Sequence, residues 1–246
     1  MQDRLGGSPA YQLLHTFWMA VDWLYPPQCG GCQRPGIRWC ADCEAKTEII
    51  DHDLICPICG IPQAGMHPCV ECQANKPSYK AMRSWAVYQG AIRGAIRRMK
   101  YRSDMGLSET FAQYLSNLIV MLDWPIDFVT VVPLGQRRRK ERGYNQADLL
   151  ARSVALAINR PYQPAAIKRR RETRSQVGLS AIERHQNVQD AFAANPEIVC
   201  RKNILIVDDV TTTGATMNEC SRACMEKNAK NVYGITIARA VILEQP

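Results

Sequence analysis

Residues 204–216 read Ile-Leu-Ile-Val-Asp-Asp-Val-Thr-Thr-Thr-Gly-Ala-Thr. Ile204, Leu205, Ile206 and Val207 form a continuous apolar run, the pattern of a strand covered on both faces in a parallel sheet. Asp208 and Asp209 follow abruptly at the carboxyl end of that run, where open α/β sheets place ligands. Val210, Thr211, Thr212, Thr213, Gly214, Ala215 and Thr216 then make a loop with four hydroxyls and one glycine. Beyond it Met217, Cys220, Cys224 and Met225 are apolar at helical spacing. The loop therefore ends at a helix N-terminus, where N–H groups and the helix dipole attract a phosphate. Two neighbouring carboxylates can accept hydrogen bonds from vicinal ribose hydroxyls while such a loop holds the 5-phosphate. A helix cap alone needs a single Asp or Thr, so capping does not account for the whole set.

Upstream, strand and helix patterns alternate. Residues 84–88 read as a short strand and residues 91–99 as helix, followed by Lys100, Tyr101 and Arg102. In residues 108–122, Phe111, Leu115, Leu118, Ile119 and Leu122 recur at intervals of three and four, a helix. Residues 127–133 are a second buried strand, and Leu149, Val154 and Ile158 belong to a helix starting near Asn145. The alternation predicts a doubly wound parallel sheet with flanking helices. Leu134, Gly135, Gln136, Arg137 and Arg138 leave the second strand at its carboxyl end and face the same crevice as Asp208. They offer the N–H groups and cations that a pyrophosphate needs. Residues 173–192 are polar with one glycine and read as a mobile lid.

The 246 residues suffice for one domain with a core plus a small module. The formal charge of +8 comes from 31 basic and 23 acidic residues. Arg137, Arg138, Arg139, Lys140 and Arg142 form one cationic segment, and Lys168, Arg169, Arg170, Arg171 and Arg174 another. The excess is therefore local, fitting either solvated faces or anion binding. No run of about 18 apolar residues suggests a membrane span. Residues 11–25 are apolar, but they lack a basic start and Asp22 interrupts them. They read as a docking helix within residues 1–27 rather than a signal peptide.

Eight of the eleven cysteines fall in four CxxC pairs within 44 residues: Cys29/Cys32, Cys40/Cys43, Cys56/Cys59 and Cys69/Cys72. Each pair lets two thiolates of one turn reach one tetrahedral ion. This spacing predicts two structural zinc ions in residues 28–77, without a secretory signal to favour disulfides. The short gaps favour sequential pairing, Cys29, Cys32, Cys40 and Cys43 in one site and Cys56, Cys59, Cys69 and Cys72 in the other, over a cross-braced arrangement. His52 and His67 lie nearby as substitute ligands. Cys200, Cys220 and Cys224 read as core thiols. The remaining residues, 78–246, form the α/β domain.

Residues 204–216 resemble the phosphoribosyl diphosphate (PRPP) signature of type I phosphoribosyltransferases. Ala215 stands where many members carry a second glycine, and its methyl restricts the backbone without blocking a phosphate. Three further segments extend the likeness: Val132-Pro133-Leu134 with Arg142-Gly143-Tyr144-Asn145-Gln146; residues 175–192 with Gly178, Glu183, Arg184 and Phe192; and Leu24-Tyr25-Pro26-Pro27 before the first cysteine. Together they resemble the ComF competence family over essentially the whole chain. That family includes amidophosphoribosyltransferase-like proteins with a zinc module ahead of a phosphoribosyltransferase domain.

The resemblance implies a type I phosphoribosyltransferase-like fold behind a double zinc ribbon, and PRPP bound with Mg²⁺. It implies roles for Asp208 and Asp209 at the ribose, for the loop 211–216 at the 5-phosphate, and for residues 134–138 at the pyrophosphate. Arg142, Asn145, Gln146, Lys100 and Tyr101 complete the candidate ligand set. Arg137, Arg138 or a lid arginine such as Arg174 or Arg184 would stabilise the leaving group, and the acceptor is not specified because no residue stands out as its general base. The resemblance also implies natural transformation in the cytoplasm, with internalised single-stranded DNA and competence or recombination proteins as partners. The alternative is a single-stranded DNA adaptor with a non-catalytic pocket, its arginines tracking phosphates and Trp39, Tyr79 and Trp85 stacking bases.

Overall fold

A computed structural model describes residues 9–101, 104–137, 140, 143–173 and 180–241. Its centre is a sheet of four strands: β1 (Ala81–Val87), β2 (Phe128–Val131), β5 (Asn203–Thr211) and β6 (Asn231–Arg239), in the order β1-β6-β5-β2. Every pairing is parallel. β3 (Ile167–Arg169) and β4 (Phe192–Ala194) make a separate antiparallel pair. The α/β parallel architecture expected from the apolar runs is thus present.

Helices α4 (Gly90–Tyr101), α5 (Gly106–Leu122), α6 (Gln146–Ala157) and α9 (Ala215–Met225) flank the sheet. Earlier come α1 (Pro9–Leu24), α2 (Ala41–Ala45) and α3 (Val70–Ala74). Later come α7 (Ala181–Val188) and α8 (Pro196–Val199). Asn145 caps α6, its side chain accepting from the Ala147 N–H at 3.2 Å. Phe111, Leu115, Leu150, Val154 and Leu205 are fully buried in one core cluster, between helices and sheet.

The cysteine-rich segment covers the free edge of β1. The Ile50 N–H donates to Trp85 O, the Val87 N–H to Glu48 O and the Met82 N–H to Ile58 O. An edge that would otherwise be a pairing hazard is thereby closed. Trp39 packs edge-on against Phe111, with ring centroids 5.3 Å apart, so the segment shares the domain core.

Three sequence expectations change. The strand expected at 204–207 runs on through the acidic pair to Thr211, because β6 stays paired with it that far. β6 itself and the β3–β4 pair were not expected. Within the segment 173–192 expected as a lid, residues 181–188 form α7 and Phe192 opens the buried strand β4, while residues 174–179 lie outside the described residues. A helix does lie where the docking helix was expected: α1 exposes Leu13, Phe17, Met19 and Trp23 and has no fully buried residue. Beside the half-buried Tyr11, Leu14, Trp18 and Val21 its polar links are Arg38 Nε donating to Asp22 at 3.0 Å, His15 Nδ1 2.8 Å from Glu109, and the Arg38 guanidinium over Trp18.

Candidate functional site

β2 and β5 are parallel neighbours with Val131 opposite Val207, so the loops that follow them leave the sheet on the same side. β5 delivers the acidic pair. Asp209 is buried, with its Oδ1 2.8 Å from Lys100 Nζ at the end of α4. Its Oδ2 accepts from Gln146 Nε2 at 2.8 Å, at the start of α6. Asp208 is half-buried and accepts the Asp209 N–H at 2.9 Å. Burial alone would push the Lys100 ammonium pKa down, but Asp209, with help from Asp208, holds it above the ordinary lysine value. Gln146 is 4% exposed, and its Oε1 has no hydrogen-bond partner among the described residues. A buried acceptor without a donor is costly unless something else supplies one.

The hydroxyl-rich loop turns at Gly214, whose φ of +82° glycine tolerates and which forms the N-cap of α9. Thr213 Oγ1 accepts from the Ala215 N–H at 3.3 Å. A Cβ at Gly214 would lie 3.2 Å from both Tyr79 Oη and Met82 Cε. Thr211 is buried and, as the last residue of β5, its carbonyl accepts the Ala240 N–H at 2.9 Å.

In the other loop the Gln136 N–H already donates to an anion, Glu172 Oε1 at 2.5 Å. A Cβ on Gly135 would sit 2.4 Å from Glu172 Oε2, so the carboxylate lies directly on the glycine. Asn145 Nδ2 reaches Val132 O at 3.4 Å, and the Tyr144 hydroxyl donates to Met99 O, tying this loop's end to α4. Leu134 is half-buried and Arg137 exposed. Arg138, Arg142 and Arg174 lie outside the described residues.

Lys100, Gln146, Asp208 and Asp209 therefore come together as the sequence suggested. Tyr101 does not join them. It lines a cleft of about 360 Å³ with Gly30, Gly31, Gln33, Arg97 and Arg98, between the first cysteine turn and α4. Trp39, Tyr79 and Trp85 are 5%, 4% and 6% exposed, so packing has taken them as core and they cannot stack bases. Glu172, Arg83 and Arg239 were missed. An arginine closing the buried run of β6 was the available signal for the last of these.

The eight cysteines form two sets, Cys29/Cys32/Cys40/Cys43 and Cys56/Cys59/Cys69/Cys72, each with all sulfurs within 4.8 Å of one another. His52 and His67 take no part in them. Observed S···S separations are 3.6 Å for Cys29–Cys40 and 3.7 Å for Cys59–Cys69. A tetrahedron with arms of about 2.3 Å has edges of about 3.8 Å, so both sets fit a structural zinc ion in the sequential pairing. Burial pushes the Cys29 thiol up, but the N–H groups of Cys32, Cys40 and Gly31 outweigh it and hold the pKa down at about 6. The N–H groups of Cys69, Cys59 and Ile58 likewise hold Cys56 at about 7 against burial. Such thiols are ready to ligate as thiolates.

Residues 20–73 match the family model of the double zinc ribbon domain. The DNA utilization protein YhgH of Shigella flexneri is 31% identical over 233 residues, covering 88% of this chain and 98% of that protein. Competence protein F of Haemophilus influenzae is 30% identical, covering 86% and 90%. Competence protein ComFC of Bacillus subtilis is 28% identical, covering 84% and 86%. Among solved structures, the allosteric regulatory enzyme of purine biosynthesis overlaps 54% of this chain and 26% of its own, at 21% identity and a TM-score of 0.37. A hypothetical protein from Neisseria gonorrhoeae with bound ppGpp overlaps 56% and 72%, at 15% identity and a TM-score of 0.35. These overlaps are partial, and the α/β assignment rests on the strand order itself.

Proposed function

The chain belongs to the family of competence protein F and DNA utilization protein YhgH, the ComF family, and on that footing we propose that it binds PRPP with Mg²⁺ and serves DNA uptake. The observation that carries the ligand reading is the unpartnered Oε1 of Gln146, buried beside Asp209. One ribose hydroxyl would supply its missing donor while the vicinal hydroxyl donates to the acidic pair. The N-terminus of α9 with Thr212, Thr213 and Thr216 suits the 5-phosphate. The loop 134–137 suits the pyrophosphate, which would replace Glu172 on the Gln136 N–H.

Bound Mg²⁺ would supply charge neutralisation of the pyrophosphate, and Asp208 and Asp209 are the carboxylates that would face it. If the anomeric bond is cleaved, positive charge grows on the sugar and negative charge on the departing pyrophosphate. Arg137, with Arg138, Arg174 or Arg184, is the cation suited to the latter. The acceptor is left open by these residues. The test is thermal unfolding with and without excess PRPP and Mg²⁺. Ligand at about a hundredfold over its dissociation constant stabilises by about 2.7 kcal/mol, a shift of several degrees. No shift would count against the ligand assignment.

A reading with single-stranded DNA as ligand has its own observation, the cleft at the first cysteine turn, which the exposed Arg97 lines with Arg98, whose Nη2 pairs with Asp104 at 3.0 Å. Phosphate tracking there predicts affinity that falls steeply with salt, and salt-independent binding would remove this reading.

A further inference from the structure

We infer that Arg239 is a positioning residue through which the second four-cysteine site braces the hydroxyl-rich loop. Arg239 closes β6 and is 3% exposed. Its Nη2 donates to Cys59 O in the second cysteine turn, and its Nη1 donates to Thr212 O in the loop at 3.2 Å. One planar, pre-organised fork therefore joins the two carbonyls. A displacement of either one is passed to the other, because a guanidinium cannot bend between its nitrogens.

Packing repeats the same connection. A Cβ at Gly60 would come within 2.4 Å of Met82 O, and one at Gly214 within 3.2 Å of Met82 Cε. The turn and the loop thus lie against the same β1 residue, whose side chain is fully buried. Tyr79, also buried, places its hydroxyl 3.2 Å from the Gly214 Cβ position.

Charge makes the connection depend on the metal. The Arg239 guanidinium, 3% exposed, lies against this site through Cys59 O. Arg83 lies beside the same site, donating to Pro57 O at 3.0 Å and Met82 O at 2.9 Å. Four thiolates around one Zn²⁺ make a doubly negative assembly, for which two buried guanidiniums are the counter-charge. With neutral thiols in its place both cations would be buried unpaired. Among the described residues the first site shows no such link: its Gly30 packs on Leu107 and Ala95, and its Gly31 on Ala91.

The phosphate role of the loop rests on the function proposed above, whereas the coupling concerns the protein alone and can fail separately. The test is amide hydrogen exchange of residues 211–214 in the full chain, wild type against Arg239→Lys, Cys72→Ser and Cys32→Ser, with zinc content measured in each. Arg239→Lys keeps the charge and loses the fork. We expect exchange at least tenfold faster in Arg239→Lys and Cys72→Ser and unchanged in Cys32→Ser. Equal exchange in Cys72→Ser and wild type, with one zinc lost, overturns the coupling.

A second measurement needs no folding-sensitive arginine variant. Co²⁺ is loaded into Cys32→Ser protein, so that the thiolate absorption reports the second site, and ribose 5-phosphate is titrated. A shift of the band that saturates with binding supports the coupling. Calorimetric binding of ribose 5-phosphate with an unmoved band overturns it. No binding at all counts against the phosphate reading, and the exchange comparison then decides the coupling alone.

Discussion

Lys100 at the end of α4 and Asp209 in β5 form a largely buried ion pair, with Nζ 2.8 Å from Oδ1 and side chains 21% and 6% exposed. Gln146 from α6 completes the arrangement on the other oxygen. Three elements that are distant in sequence thus meet on one carboxylate, and the fold fixes the acidic pair before any ligand arrives.

Removing one partner should therefore cost more than removing both. Lys100→Met leaves Asp209 buried without its counter-charge, a loss of about 3 kcal/mol. Lys100→Met with Asp209→Asn should cost clearly less than the sum of the single changes. Denaturant unfolding of the four proteins measures the coupling.

The same pair sets a pH dependence. The Lys100 pKa lies above the ordinary 10.5 in the folded chain. A group whose folded pKa is raised stabilises fully below its unfolded value and loses that contribution as pH climbs through the folded value. The stability gap between wild type and Lys100→Met should stay constant from neutral pH to about 10 and shrink beyond 10.5. Unfolding midpoints measured across that range check the sign.

Glu172 occupies the donor that a pyrophosphate would use. Glu172→Gln removes a competing negative charge from an exposed position, so inorganic pyrophosphate should bind about threefold to tenfold more tightly. Weaker binding by the variant would mean that Glu172 helps to shape the site instead. Calorimetry with pyrophosphate and Mg²⁺ gives the ratio.

The two cysteine sets should hold two zinc ions per chain and lose them singly. Cys56→Ser should leave one ion, and exhaustive chelation should unfold the segment along the β1 edge, because metal binding supplies folding free energy there. Elemental analysis and circular dichroism follow both effects.

How far the sequence reached depended on whether a feature was local. The run 204–207 announced its strand because four apolar residues in a row need cover on both faces, and the CxxC spacing announced its pairing because short turns leave few alternatives. Asp208, Asp209 and Gln146, which the structure brings together, were legible as candidates for the same reason, each lying within a recognisable segment. Arg239 and Glu172 were not, since their meaning comes from partners 180 and 36 positions away. Tyr101, the neighbour of Lys100, lines the cleft at the first cysteine turn, because sequence adjacency says nothing about which way a helix end points. Trp39 and Trp85 looked available for stacking until the packing of the cysteine segment on β1 buried them.

The central claim is that the acidic pair and the loop after it hold a ribose phosphate. Calorimetric titration of the zinc-loaded chain with PRPP and Mg²⁺, beside the Asp208→Asn/Asp209→Asn double variant, tests it most directly. The account predicts micromolar binding by the wild type that the double variant abolishes while keeping its zinc and its fold. Undiminished binding by the double variant, or none by the folded wild type, would contradict it.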